Sequence, residues 1–138
     1  MKVSDDGIAR LTAREGKRNK AYKDTKGIWT IGVGHTGPEV HEFLAWTDGQ
    51  VFAALKDDLD EVEQALDKYV LVPLTQKQYD ALASFIFNVG VNAFRRSTML
   101  RYINLRMFDK AAAEFDRWHI PKEIIKRRDS ERDQFKEL

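Results

Sequence analysis

Residues 15–36, EGKRNKAYKDTKGIWTIGVGHT, decide the reading of this chain. A helical pattern stops at Glu15 and Gly16, and Ala21 to Thr25 then has the character of an extended segment. Lys26 and Gly27 supply turn chemistry, and Ile28 to Gly34 mixes β-branched residues with glycines, which opposes a helix. The stretch therefore predicts a β-hairpin entered from a helix end.

Working outward, Ser4 can cap that first helix, whose opening turn holds Asp5 and Asp6 at the positive end of the macrodipole, with Ile8 and Leu11 at helical spacing. Downstream, Thr47 and Gln50 form a capping box before Val51, Leu55, Leu59, Val62 and Leu66, which recur three or four apart and predict a long helix over 47–67. A second box, Thr75 with Gln78, opens a helix that ends at Gly90; its residues 81–87 are apolar on nearly every side, as in a central buried helix. Shorter helices are expected around Thr98 to Asn104 and Lys110 to Trp118, and Pro121 can start a last one carrying Ile124, Ile125 and Phe135.

The fold class that follows is α+β and mainly helical. A single domain over 1–138 is expected to have a small β-containing lobe (16–46) and a larger helical lobe (1–15 and 68–138), joined through the 47–67 helix with a cleft between them. A chain of 138 residues with 43% hydrophobic residues can bury one core and is too short for two ordinary domains. No apolar stretch approaches the roughly 20 residues that cross a bilayer, and no signal-peptide core follows Met1. Stable membrane insertion is thus not expected. The absence of cysteine excludes a disulfide framework, a thiolate metal site and a cysteine nucleophile. His35, His41 and His119 lack ligand spacing, so neither a metal nor another cofactor is expected.

The net charge of +1 is unevenly spread. Residues 1–36 carry eight Lys/Arg against four Asp/Glu, residues 37–90 three against ten, and residues 91–138 twelve against eight. Two basic ends brought together would suit an anionic polymer, peptidoglycan and nucleic acid alike. Acidic residues interrupt the region that holds Arg95, Arg96, Arg101, Arg106 and the last basic helix too often, taken as a whole, for a phosphate surface, and no nucleic-acid motif is present.

Glycoside hydrolysis needs two carboxyl groups in contrasting environments, one donating a proton to the leaving oxygen and one ionised. Glu15 falls at a helix C-terminus, where unsatisfied carbonyls disfavour an ionised carboxylate and a helix would ordinarily place Lys or Arg. Asp24 lies beside the hairpin turn, where it can stay solvated. Alternation along the second strand puts Ile28, Thr30, Gly32 and Gly34 on one face and Trp29, Ile31, Val33 and His35 on the other. Two glycines beside Thr30 let a sugar approach the backbone while the hydroxyl binds a water, so Asp24 and Thr30 are expected to hold the attacking water. Taken singly, these are a helix-end, a turn and a strand residue.

Their spacing within EGxxxxAYxDxxGxxTIGxGHT resembles the signature of phage lysozymes, endolysins with a Glu, Asp, Thr triad. PLTQKQYDALASFIFNVG, AFRRSTMLRYIN, AAAEFDRW and IIKRRDSERDQF resemble the corresponding stretches of the lambdoid-phage branch. The resemblance implies a muramidase that cuts the β-1,4 bond between N-acetylmuramic acid and N-acetylglucosamine in bacterial peptidoglycan, with Glu15, Asp24 and Thr30 as acid, base partner and water-orienting hydroxyl. It implies sugar binding by Phe87, Asn88 and Ser97, and Asp58 as carboxylate partner to a structural His35. It also places an arginine of the last helix, Arg127 or Arg128 by alignment, against the catalytic glutamate, where a cation would favour the ionised form. It further implies a monomer in the host cytoplasm that depends on a separate holin for access to the wall. A lytic transglycosylase or a non-catalytic wall-binding module are the alternatives. The chain departs from the branch at RWHIPKEIIKRR, which lacks the usual glycine-rich loop.

Overall fold

Ser4 starts the first helix as its type and position suggest: its hydroxyl accepts from the Gly7 N–H at 3.0 Å, and α1 runs over Asp5–Glu15. The structure, a computed structural model, describes residues 1–138. Gly16 ends α1 with φ +81, a left-handed conformation natural to glycine, and its N–H donates to the Thr12 carbonyl at 2.8 Å.

Three antiparallel strands follow in the order β1 (Arg18–Lys23), β2 (Trp29–Gly32) and β3 (His35–Thr36). The third strand is a departure from the expected hairpin. Gly32 and Gly34 adopt φ of +68 and +66, so the chain turns back after Gly32 instead of extending to Gly34. His35 consequently reaches the face of Ile31 as its cross-strand partner, not by alternation along one strand. Residues 44–46 lie along the other edge of β1: the Ala21 N–H donates to Leu44 O at 2.9 Å and the Trp46 N–H to Asn19 O at 2.7 Å.

Thr47 and Gln50 exchange their expected bonds at 3.2 and 2.9 Å, and α2 runs over Asp48–Tyr69, slightly beyond the expected end. Thr75 and Gln78 form the second box at the start of α3 (Gln76–Val89), which Gly90 closes. Next come α4 (Val91–Arg95), α5 (Thr98–Asn104) and α6 (Phe108–Glu114). The helix expected to reach Trp118 tightens into a 3₁₀ turn at Phe115–Trp118, and another 3₁₀ turn, Lys122–Ile124, precedes α7 (Ile125–Lys136).

The chain divides into two compact units, Ala9–Asp60 and Met1–Ile8 with Glu61–Leu138. The division falls inside α1 and α2, so the β-containing unit is larger than the expected 16–46. Its buried apolar residues explain why, because Leu11 of α1 and Val51, Leu55 and Leu59 of α2 are buried along with Ile31, Val33 and Val40. The other unit has its core on α3, where Leu82, Phe85 and Ile86 cluster with Phe94, Met99, Ile103, Phe115 and Phe135. Phe85 meets the Phe115 and Trp118 rings edge-on, each at 5.3 Å.

Candidate active site

All three residues of the candidate trio belong to the unit Ala9–Asp60. Glu15 is the last residue of α1 and half-buried. Asp24 closes β1 at the turn, where its N–H donates to the Ile28 carbonyl and its own carbonyl accepts from Gly27, both at 2.9 Å. Its Oδ1 also accepts from the N–H groups of Lys26 and Ile28 at 2.8 Å each, which fixes the carboxylate plane on the turn. The second oxygen, Oδ2, is not engaged by the turn.

Asp24 is thus backbone-paired to Ile28, while Thr30 pairs with Tyr22 in register. Asp24 and Thr30 are diagonal neighbours on one face of the hairpin. Thr30 is buried at 4% exposure, and its Oγ1 donates to the Ile28 carbonyl at 2.9 Å. The hydroxyl proton is therefore committed, and Thr30 offers only acceptor lone pairs to a further partner.

His35 Nδ1 lies 2.8 Å from Asp58 Oδ2, and its Nε2 lies 2.6 Å from Glu39 Oε1. Burial works against the charged ring, but the two carboxylates outweigh it and hold the imidazole above its ordinary value. Glu39 in turn is held below the usual range by its bond to His35. Glu39 was not anticipated from the sequence; its signal is the i,i+4 spacing from His35 across the turn at Gly37 and Pro38.

Phe87, Asn88, Ser97, Arg127 and Arg128 belong to the other unit. Phe87 is partly buried against the core, and Asn88 is exposed. Ser97 caps α5, donating to Phe94 O at 2.7 Å and accepting from the Leu100 N–H at 3.0 Å. Of the basic run at 126–128, ordinarily a solvated helix face, Lys126 is exposed, whereas Arg127 and Arg128 turn inward. Arg128 is 2% exposed and donates to Trp118 O, Glu131 and Asn88 Oδ1. Arg127 donates to Glu131 Oε2 at 3.1 Å and to Ser84 O at 2.9 Å. Glu131, fully buried, also accepts from the Ser84 hydroxyl at 2.6 Å, so two arginines and a serine satisfy one carboxylate. The Arg128 contact also fixes the Asn88 amide with its NH₂ turned away from Arg128.

His119, with no ligand spacing in sequence, is nonetheless flanked in space by Asp129 at 3.1 Å and Asp116 at 3.7 Å. Arg132 already bridges both carboxylates.

The Phage lysozyme family matches residues 12–131. The chain belongs to the phage lysozyme family. It is 48% identical over 122 residues to the endolysin of Salmonella phage P22, an alignment covering 86% of this chain and 84% of that one. It is 41% identical over 115 residues to the SAR-endolysin of Escherichia phage Mu, covering 80% and 67%. Among solved structures, the crystal structure of a P22 lysozyme mutant superposes with a TM-score of 0.88 at 45% identity, covering 98% of each chain. The mainly helical fold with its small antiparallel sheet is that of the phage lysozymes, and the chain is a peptidoglycan-hydrolysing endolysin, a glycoside hydrolase of the muramidase class.

Proposed function

We propose that this member cleaves the β-1,4 bond between N-acetylmuramic acid and N-acetylglucosamine by direct attack of water, with Glu15 as general acid and Asp24 and Thr30 holding the water. The carrying observation is the pair of acceptors on one hairpin face: Thr30 Oγ1, its proton given to Ile28, and Asp24 Oδ2, left over by the turn. A water between them donates one hydrogen to each, which turns its lone pair toward the anomeric carbon. As the new C–O bond forms, Asp24 takes the water proton, while Glu15 gives its proton to the departing sugar oxygen. A single displacement inverts the anomeric centre.

Phe87 and Asn88 are read as sugar-binding residues, Asn88 through its outward NH₂. Ser97, with its hydroxyl occupied in capping α5, supports the backbone around that site. His35, Asp58 and Arg127 serve as structural support.

Turbidity clearing of purified cell walls by wild type, Glu15→Gln and Asp24→Asn tests the reading, with losses of about 10²–10⁴-fold expected in both variants. Full activity in either variant removes that residue from the mechanism. Mass spectrometry of the released muropeptides should find reducing ends, whereas anhydromuramic ends would establish a transglycosylase. Access through a separate holin, with the enzyme acting as a monomer from the host cytoplasm, belongs to the same reading. No helix is long and apolar enough to cross a membrane. Expression in a host without a holin should leave cells intact, and prompt lysis would overturn that part.

A further inference from the structure

The hairpin face opposite Asp24 and Thr30 carries an aromatic residue, Trp29. Lys23 and Trp29 are register partners, so they share the face that Tyr22 and Thr30 do not. Trp29 lines a surface pocket of about 370 Å³ with Lys20, Ala21, Glu42, Phe43 and Ala45, all within the unit Ala9–Asp60. That volume lies within the range of small-ligand sites, about 300–1,000 Å³.

Phe43 is the unusual member. It is 89% exposed and has φ +70, a left-handed conformation that is strained for an aromatic residue. The strain is held by backbone bonds on its C-terminal side: Leu44 N–H to His41 O at 3.2 Å, Ala21 N–H to Leu44 O at 2.9 Å, and the bridge between Lys20 and Ala45. A large apolar ring fixed in water in a costly conformation contributes nothing to a core, which is the pattern expected of a contact surface.

We propose that this pocket is a second glycan site, which takes an N-acetylhexosamine ring of the peptidoglycan strand on the hairpin face opposite Asp24 and Thr30. The C–H faces of a pyranose match the negative faces of Trp29 and Phe43. Lys20 supplies a donor and Glu42 an acceptor for hydroxyl and acetamide groups, and Lys20 and Lys23 favour a polymer that bears carboxylates. The inference rests on peptidoglycan as the substrate. Binding of a neighbouring strand would keep the enzyme on an insoluble wall between cuts.

Amide chemical shifts, followed by NMR during titration with tri-N-acetylchitotriose, test the site. The expected result is movement of Ala21, Glu42, Phe43 and Ala45 in wild type and its loss in Phe43→Gly. That variant should also weaken binding to purified cell walls about fivefold. It should raise the melting temperature by about 2 °C, because glycine accepts the left-handed conformation, whereas a merely structural Phe43 would lower it. Phe43→Trp should keep the shifts. Shifts confined to residues around Glu15, Asp24 and Thr30 would overturn the second site and leave the proposed hydrolysis standing. Movement with a sugar-free stem peptide but not with chitotriose would overturn the sugar assignment.

Discussion

The Thr30 hydroxyl donates to the Ile28 carbonyl at 2.9 Å, which leaves a buried side chain with only acceptor capacity toward anything bound on its face. A water that needs both hydrogens directed away from the sugar is suited by such a group. Thr30→Val keeps the shape and removes the acceptor, and kcat/KM should fall about 10²-fold. The lost bond to Ile28 should cost about 1 kcal/mol. Thr30→Ser should retain most of the activity. A Val variant as active as wild type in the cell-wall assay would exclude the hydroxyl from water placement.

Asp24 performs two tasks that substitution can separate. Its Oδ1 accepts from Lys26 and Ile28 in the turn, and an asparagine carbonyl oxygen can do the same. Asp24→Asn should therefore keep its melting temperature within about 2 °C while losing activity. Asp24→Ala removes both acceptors and should cost a further 1–2 kcal/mol, about what loss of a side-chain cap costs elsewhere. Thermal melts paired with turnover distinguish the tasks; equal instability in both variants would show that the charge, not the turn bonds, matters to the fold.

Local signals were the legible part of this fold. The Ser4 cap, both capping boxes, Gly16 and Gly90 each depend on a few adjacent residues, so helix ends could be placed from sequence. The third strand was not legible, because it depends on Gly32 and Gly34 taking positive φ, which the glycines permit but do not require. The face on which Thr30 lies follows from alternation and holds, since it needs only the strand before Gly32. The direction of the Thr30 proton could not be read, as it depends on where the Ile28 carbonyl points. The burial of Arg128 was hidden because charge marks an interior position only when its partners are known, and Glu131, Asn88 and the Trp118 carbonyl come together only through packing of α7 on α3.

His35 is clamped on both ring nitrogens, by Asp58 at 2.8 Å and Glu39 at 2.6 Å. A folded-state value raised above 6.5 means that the imidazolium stabilises the fold below 6.5, and that this contribution is lost as pH rises through the raised value. Glu39, lowered from 4.5, adds stability above 4.5 that is lost as pH falls through its lowered value. Both contributions coincide between about 4.5 and 6.5. His35→Asn should lower stability by about 2 kcal/mol near pH 5.5 and by less at pH 9. Melts across that range check it, and a destabilisation independent of pH would mean that His35 acts by packing against Trp46 instead.

Glu131 supports the helical unit through charge that has no water to fall back on. It is fully buried and satisfied by Arg127, Arg128 and the Ser84 hydroxyl. Glu131→Gln leaves two guanidinium groups facing a neutral amide, one of them also 2% exposed, and should cost about 3–5 kcal/mol. Burial already draws the Arg128 guanidinium downward, with Glu131 as its main compensation. Removing that arginine in the same chain, as Arg128→Met with Glu131→Gln, should cost less than the sum of the two single changes, because no buried cation is left at that position. Urea unfolding of the four proteins measures the coupling. Strict additivity would show that the pair is independent and that Glu131 is held mainly by Arg127 and Ser84.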